Sequence, residues 1–142
     1  MPWATDRFEV LPHTADKAIR AFGGNLKELF ENAAYGMFSL MADLERYKPT
    51  ERHEFEVQAP DLESLLRTWL ADLLYKFEVD RILFVDFEVQ AIDNNHLKGK
   101  ACGLPFSDKI EWLGSPVKAV THYDLYVHRT DERWEAQVIF DV

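Results

Sequence analysis

The last ten residues, 133–142, constrain the fold most, because apolar and polar side chains alternate along nearly all of this stretch. Such a two-residue period predicts a β-strand with one buried face. The apolar face would consist of Trp134, Ala136, Val138, Phe140 and Val142. A strand that runs to residue 142 holds the α-carboxylate of Val142 beside the carboxylate of Asp141. Because two adjacent anions repel, we expect one of them to take up a proton or a cation to lie between them.

The composition predicts a single domain over residues 1–142 that has no membrane segment and no strong, direct contact with nucleic acid. Apolar residues make up 47% of the chain, but no run approaches the about 18 apolar residues of a membrane-spanning helix. The net charge of −9 opposes binding to phosphate backbones, which need a basic surface. The first residues lack the layout of a signal peptide, so we expect the protein in the cytoplasm. Because Cys102 is the single cysteine, an internal disulfide is excluded.

Two segments have the three- and four-residue period of amphipathic helices. The first should begin after Asn25, which can cap the helix together with Glu28 three residues later. The second should begin after Asp61. The first apolar stripe consists of Leu26, Leu29, Phe30, Ala33, Met37 and Met41. The second and stronger stripe, which we expect to anchor the fold, consists of Leu62, Leu65, Leu66, Trp69, Leu70, Leu73, Leu74 and Phe77.

The other periodic segments alternate as strands do, and they predict an α+β fold: one two-layer domain with two helices packed on a mainly antiparallel sheet. These predicted strands cover residues 7–11, 17–22, 51–58, 81–91, 96–103 and 117–128. Within 81–91 the predicted buried face is Leu83, Val85, Phe87, Val89 and Ala91. The irregular segment 104–116 carries Phe106 and Trp112, which could fold back onto the core or form a contact surface.

The chain lacks the common catalytic motifs, namely a phosphate loop, the Gly-x-Ser-x-Gly elbow and the His-Glu-x-x-His metal helix. Its five histidines are scattered without zinc-like spacing. Oxygen ligands remain, because Asp16 follows a strand broken by Pro12, while Asp141 and Val142 lie at another strand end. Carboxylates that converge at one sheet margin would suit calcium, magnesium or manganese.

Four blocks of sequence, in the same order, resemble the archease family. They are His-Thr-Ala-Asp at 13–16, a leucine-rich helix at 65–75, Val-Lys-Ala-Val-Thr at 117–121, and the closing strand at 134–142. The blocks span nearly the whole chain, and it is their combination that is specific.

The resemblance implies an accessory protein, not an enzyme, whose partner is the GTP-dependent RNA ligase of tRNA splicing and RNA repair. Members of the family promote guanylylation of that ligase and its multiple turnover. The family's metal site carries over to Asp16, Asp141 and Val142, where we expect a divalent cation, calcium ahead of magnesium or manganese. Lys118 is the next functional position that the resemblance implies, with His13 in a supporting role.

Two positions depart from the family pattern. The family more often has Thr-Tyr-His after the lysine block, whereas Thr121 is followed here by His122 and then Tyr123. A shift by one residue exchanges the two faces of a strand, so a role for His122 is not carried over. Leu104 follows Gly103 where many members have an acidic residue, which removes a loop carboxylate and leaves the metal ligands unchanged.

Two other functions fit parts of the pattern. One is a metal-dependent phosphoester hydrolase with Asp16 and Asp141 as ligands and His13 or His122 as the general base. The other is a plain protein-interaction module that uses the loop around Phe106 and Trp112 as its contact surface. The chain carries no substrate-binding signature that would support the hydrolase.

Overall fold

A computed structural model of the protein describes residues 7–12 and 16–142. Within these residues it has two α-helices, a short 3-10 helix at Leu44–Arg46 and eight strands. The helices are α1 (Leu26–Ser39) and α2 (Leu62–Asp80). The strands are β1 (Phe8–Leu11), β2 (Lys17–Gly23), β3 (Glu51–Gln58), β4 (Ile82–Ile92), β5 (His96–Pro105), β6 (Ala119–Val120), β7 (Tyr126–Arg129) and β8 (Trp134–Asp141).

The predicted α+β class is confirmed, and the strands form two sheets. The first sheet has the order β1-β2-β8-β6, with β7 also paired to β8, and the second has the order β3-β5-β4. Every pair is antiparallel. Helix α1 contacts β2 of the first sheet and β4 of the second, while α2 contacts β3 and β4 as well as β6 and β7. Both helices therefore pack against both sheets.

Both helices begin where the sequence predicts. The side chain of Asn25 accepts a hydrogen bond from the backbone N–H of Glu28, and Asp61 does the same for Ser64. The Glu28 carboxylate reaches back to the N–H of Gly24 at 3.1 Å. These side chains satisfy amide groups that have no partner within the helix, so each cap stabilises its first turn.

One continuous apolar cluster joins the two helices to both sheets. The predicted stripe of α2 is buried from Leu65 to Phe77, and Trp69 donates its ring N–H to the carbonyl of Phe30 at 3.1 Å. Each large side chain of this cluster contributes about 1.5–3 kcal/mol by burial. The terminal strand takes part through Ala136, Val138 and Phe140, all fully buried, so β8 is anchored in the core as predicted.

Two strand predictions were wrong in detail. In β4 the pairing register shifts between Val89 and Ala91, and the extra residue turns Ala91 out to solvent. The predicted long strand 117–128 is instead two short strands, because five residues, 121–125, lie opposite only Val138 and Ile139 of β8. The surplus residues leave the sheet as a turn.

The loop after β5 folds partly back onto the core. The ring of Phe106 lies 5.1 Å from that of Phe77, and Trp112 lies 5.8 Å from Phe77 and 4.9 Å from Phe106, measured between centroids. Trp112 nevertheless stays 43% exposed. The loop, Met41 and Phe77 line an open apolar pocket of about 260 Å³, so these aromatics belong to the core on one side and to the surface on the other.

No helix among the described residues combines the length and the apolar character that a bilayer crossing requires.

Candidate functional site

The C-terminal end of β8 brings together residues from three separate segments. Lys17 pairs with Phe140, so Asp16, which precedes Lys17, and Asp141, which follows Phe140, lie at adjoining ends of two neighbouring strands. Asp16 is half-buried and Asp141 is exposed. The predicted approach of these two aspartates is thus reproduced by the register of β2 and β8. We call this place the C-terminal edge.

Strand β6 brings Lys118 to the same edge from the other side of β8. Ala119 pairs with Asp141, and the backbone N–H of Lys118 donates to the carbonyl of Asp141 at 2.8 Å. The half-buried Val142 follows directly. The Lys118 side chain is exposed and lines a groove against α2. The backbone of Lys118 is therefore hydrogen-bonded to the edge, while its side chain lines the groove.

The position of this edge is set by packing and by a double hydrogen bond. Phe140 and Val120 are buried between the sheet and the helices. Thr121 donates both its N–H and its Oγ1 hydroxyl to the carbonyl of Ile139, at 3.0 and 2.9 Å. The polar residues of the edge thus extend from a strand whose own position is determined by the core.

Two carboxylates at one strand end suit a hard cation, but they do not complete a ligand set. Within 7–12 and 16–142, no group of three or more His, Cys, Asp or Glu side chains is placed to hold a metal ion. The α-carboxylate of Val142 would supply further oxygens. His13 lies outside the described residues, so its supporting role stays a prediction.

His122 lies in the turn that leaves the sheet between β6 and β7. It is exposed, and its carbonyl accepts a hydrogen bond from Leu125 at 3.3 Å. The turn includes Asp124 with a φ of 49°, a left-handed conformation that Asp adopts more readily than most residues. Because His122 lies in this turn and not in a strand, the exchange of strand faces does not apply to it, and its role stays a prediction.

Strand β8 also carries a polar network near its beginning, at the end opposite the C-terminal edge. The sequence analysis did not predict this network. The Tyr126 hydroxyl donates to Glu135 at 2.6 Å and accepts from Nε of Arg20 at 3.1 Å. Arg20 also donates to Glu9 and Gln137 at 3.0 and 3.2 Å. Burial, followed by the hydrogen bond to Glu135 and its charge, raises the pKa of Tyr126. In the sequence, alternation shows only that polar residues such as Glu135 and Gln137 lie on the solvent face of their strand. It does not show which residues of other strands they contact.

Arg67 is a second residue that the sequence analysis overlooked. Its Nε donates to the carbonyl of Val120 at 3.1 Å, which ties α2 to β6. The helical period places Arg67 on the face opposite the strongest apolar stripe, so periodicity alone gave no reason to assign it a function. In the structure it lines the same groove as Lys118.

The fold and the site define a small α+β protein whose candidate site is a carboxylate-bearing edge of a sheet. The model of the archease protein family (MTH1598/TM1083) matches residues 8–142. The chain belongs to the archease family. It is 39% identical to protein archease of Methanosarcina acetivorans over 146 residues, with all of both chains covered. Against protein archease of Danio rerio it is 37% identical, covering 99% of this chain and 88% of the other.

Solved structures agree with this assignment. The solution structure of Methanobacterium thermoautotrophicum protein 1598 has a TM-score of 0.84 and 36% identity, covering 96% of this chain and 99% of the other. A Thermotoga maritima structure, described as an archease and possible chaperone, has a TM-score of 0.64 at 22% identity, covering 94% and 96%. That second likeness supports the fold alone.

Proposed function

We propose that this chain is an accessory protein that activates the GTP-dependent RNA ligase of tRNA splicing and RNA repair. The observation that carries the proposal is the convergence of Asp16, Asp141 and Lys118, from three segments, at the C-terminal edge. The chain belongs to the archease family, and the sequence resemblance to that family at 13–16, 117–121 and 134–142 implies the ligase as partner. The protein would act on the ligase in the cytoplasm and would not itself be the catalyst.

The proposed role of the edge is to present positive charge to the nucleotide site of the ligase. Asp16, Asp141 and the α-carboxylate of Val142 would hold a divalent cation, calcium before magnesium or manganese. Such an ion offsets negative charge on a triphosphate during nucleotidyl transfer. The chain's own contribution is rigidity, because Phe140 and the Thr121 hydrogen bonds keep the ligands at a constant spacing.

A single-turnover guanylylation assay with the cognate ligase tests the proposal. We expect the wild-type protein to accelerate formation of the ligase–GMP adduct, and Asp16→Asn combined with Asp141→Asn to abolish most of that acceleration. Amide side chains preserve size while removing the negative charge that a hard cation needs. A double variant that accelerates as well as wild type would rule out the edge as the active feature.

The matched control is Asp93→Asn, an exposed aspartate in the β4–β5 turn, which should leave the acceleration unchanged. Phosphoester hydrolysis by the isolated protein with added metal would instead favour the hydrolase. Ligase binding that persists after chelation, with no acceleration in either state, would favour the plain interaction module, with Trp112 and its neighbours as the contact surface.

The terminal carboxylate can be tested separately. Residues added after Val142 convert its carboxylate to an amide, so a C-terminal tag should weaken calcium binding in calorimetry, whereas an N-terminal tag should not. Equal calcium affinity for the two tagged proteins would remove Val142 from the ligand set and leave the two aspartates to be tested.

A further inference from the structure

We propose that the groove between α2 and β6 binds a phosphate group. The groove has a volume of about 240 Å³. It is lined by Arg67, Ala71, Leu74, Tyr75, Glu78, Lys118, Ala119 and Val120. The inference builds on the proposed function, because Lys118 belongs to both places, and it assigns a ligand to a part of the surface that the carboxylates do not occupy.

The guanidinium of Arg67 is held at the groove in a defined orientation. Its Nε donates to the carbonyl of Val120 at 3.1 Å, and this bond joins the helix to the short strand. Its two terminal nitrogens make no hydrogen bond or ion pair within 7–12 and 16–142. An anchored guanidinium with its terminal N–H groups unused is suited to bidentate recognition of an oxyanion.

Lys118 adds a second cation without a carboxylate partner. Its backbone is fixed by the hydrogen bond to Asp141, and no acidic oxygen in the part of the chain that the structure describes lies within 4.0 Å of its ammonium group. Some other cations among the described residues do form ion pairs, for example Arg20 with Glu9 and Lys100 with Glu88, whereas others, such as Lys27 and Lys98, form none.

Two cations that have no ion pair among the described residues thus line one groove in a chain with 25 acidic and 16 basic residues. Glu78 also lines the groove, but it forms no ion pair with either cation. The local balance is positive in a protein whose total charge is negative, and opposite charges held nearby are the condition under which an anion binds.

The number of hydrogen-bond donors in the groove favours a phosphate over an isolated carboxylate. An arginine fork and a separate lysine together offer more donors than the two oxygens of a carboxylate can accept, whereas a phosphate has three free oxygens. Tyr75, 66% exposed at the rim, offers an aromatic face on which the base of a nucleotide can stack. The phosphate could thus belong to a nucleotide or to an inorganic polyphosphate, and Tyr75 distinguishes these sources.

The test is a titration of the full chain with tripolyphosphate and, separately, with GTP, in low salt without divalent ions and monitored by NMR and calorimetry. We expect saturable binding, which Arg67→Gln and Lys118→Gln each weaken about tenfold, as the loss of a charge-assisted hydrogen bond predicts. Glu78→Gln removes the opposing charge and should tighten binding by about two- to threefold. Tyr75→Ala should weaken GTP binding and leave tripolyphosphate unchanged if the ligand is a nucleotide.

Lys98→Gln is the matched control, since Lys98 is exposed on the other sheet and its charge should not matter. Arg67→Lys keeps the charge without the fork and should fall between wild type and Arg67→Gln, which separates recognition from a folding defect. No saturable binding by wild type, or equal binding by wild type, Arg67→Gln and Lys118→Gln, would overturn the proposal. The proposal would also be overturned if the protein bound an acidic peptide but neither tripolyphosphate nor GTP.

These outcomes are separable from the fate of the proposed function. A wild-type protein that accelerates guanylylation but binds neither tripolyphosphate nor GTP would refute the groove and leave the activator role intact. A protein that binds tripolyphosphate or GTP in the groove but does not accelerate guanylylation would support the groove and refute the activator role.

Discussion

The two ends of strand β8 carry similar side chains but differ in how these are paired. Near its beginning, Glu135 and Gln137 belong to a network in which Arg20 contacts both Tyr126 and Glu9. Near its end, the side chains of Asp141 and Lys118 form no hydrogen bond or ion pair within the described part of the chain. One strand therefore has a closed polar end and an open one.

The closed end has the properties of a structural element. Its polar atoms are half-buried and partnered with each other, which is the ordinary condition for polar groups that leave water. The open end has exposed charges on a backbone that is held by the core. Charged side chains that remain in water carry little desolvation cost, and a rigid backbone holds them in position for a ligand. The difference predicts opposite responses to substitution at the two ends.

The largest effect should come from Phe140, which is fully buried beside the open end, where it pairs with Lys17 of β2 and Val120 of β6. Phe140→Ala should lower the free energy of unfolding by about 3–5 kcal/mol through lost burial and a residual cavity. It should also weaken calcium binding, since the ligand-bearing edge loses its anchor. Urea denaturation measures the first change and calorimetry the second.

Phe140→Leu is the control, as it retains most of the apolar volume and should cost clearly less. If Phe140→Ala unfolds at the same urea concentration as wild type, the terminal strand is not held by the core, and the rigidity attributed to the edge is lost with it.

The alternation of 133–142 was sufficient to predict this strand and the burial of Ala136, Val138 and Phe140, because a two-residue period is a local property of the chain. It did not predict that Ile139, on the opposite face, is buried as well. The caps at Asn25 and Asp61 were predictable for the same reason. The approach of Asp16 to Asp141 came from two strand ends and the family's motifs, and the register of β2 with β8 then placed them side by side.

The next effect should be at the closed end. Tyr126→Phe removes the hydroxyl that donates to Glu135 and accepts from Arg20, and it should destabilise the protein by about 1–2 kcal/mol. Tyr123→Phe is matched in chemistry, but Tyr123 is 76% exposed, so its unfolding curve should overlay that of wild type. Equal behaviour of the two variants would mean that the network stabilises nothing.

The same pair of variants gives a pH dependence. Burial and Glu135 raise the pKa of Tyr126 above its ordinary value, so the folded state holds that proton more tightly than the unfolded state does. The stabilisation is complete below about pH 10, where unfolded tyrosine is still protonated, and it is lost as pH rises through the raised pKa. The difference in the free energy of unfolding between wild type and Tyr126→Phe should therefore stay constant up to about pH 10 and become smaller above that pH.

What the sequence could not supply is contact between segments that are distant in the chain. The turn at 121–125 arises because β6 and β7 pair with separate parts of β8, and alternation continued through it, so one strand was predicted where there are two. Arg67 is another example, since its role depends on Val120, 53 residues away. Periodicity describes the face of an element but not the element that lies opposite.

The smallest effect on stability should come from the open end. Lys118→Gln and Asp141→Asn remove charges that have no partner within the described residues, so each should change the free energy of unfolding by no more than about 0.5 kcal/mol without metal. Added calcium should then raise the melting temperature of wild type and Lys118→Gln but not of Asp141→Asn, because a ligand stabilises only the state that binds it. A calcium-induced shift of equal size in all three would place the cation elsewhere. A large loss for either variant without metal would mean that the end is structural too, and that the two ends of β8 do not differ as their pairing indicates.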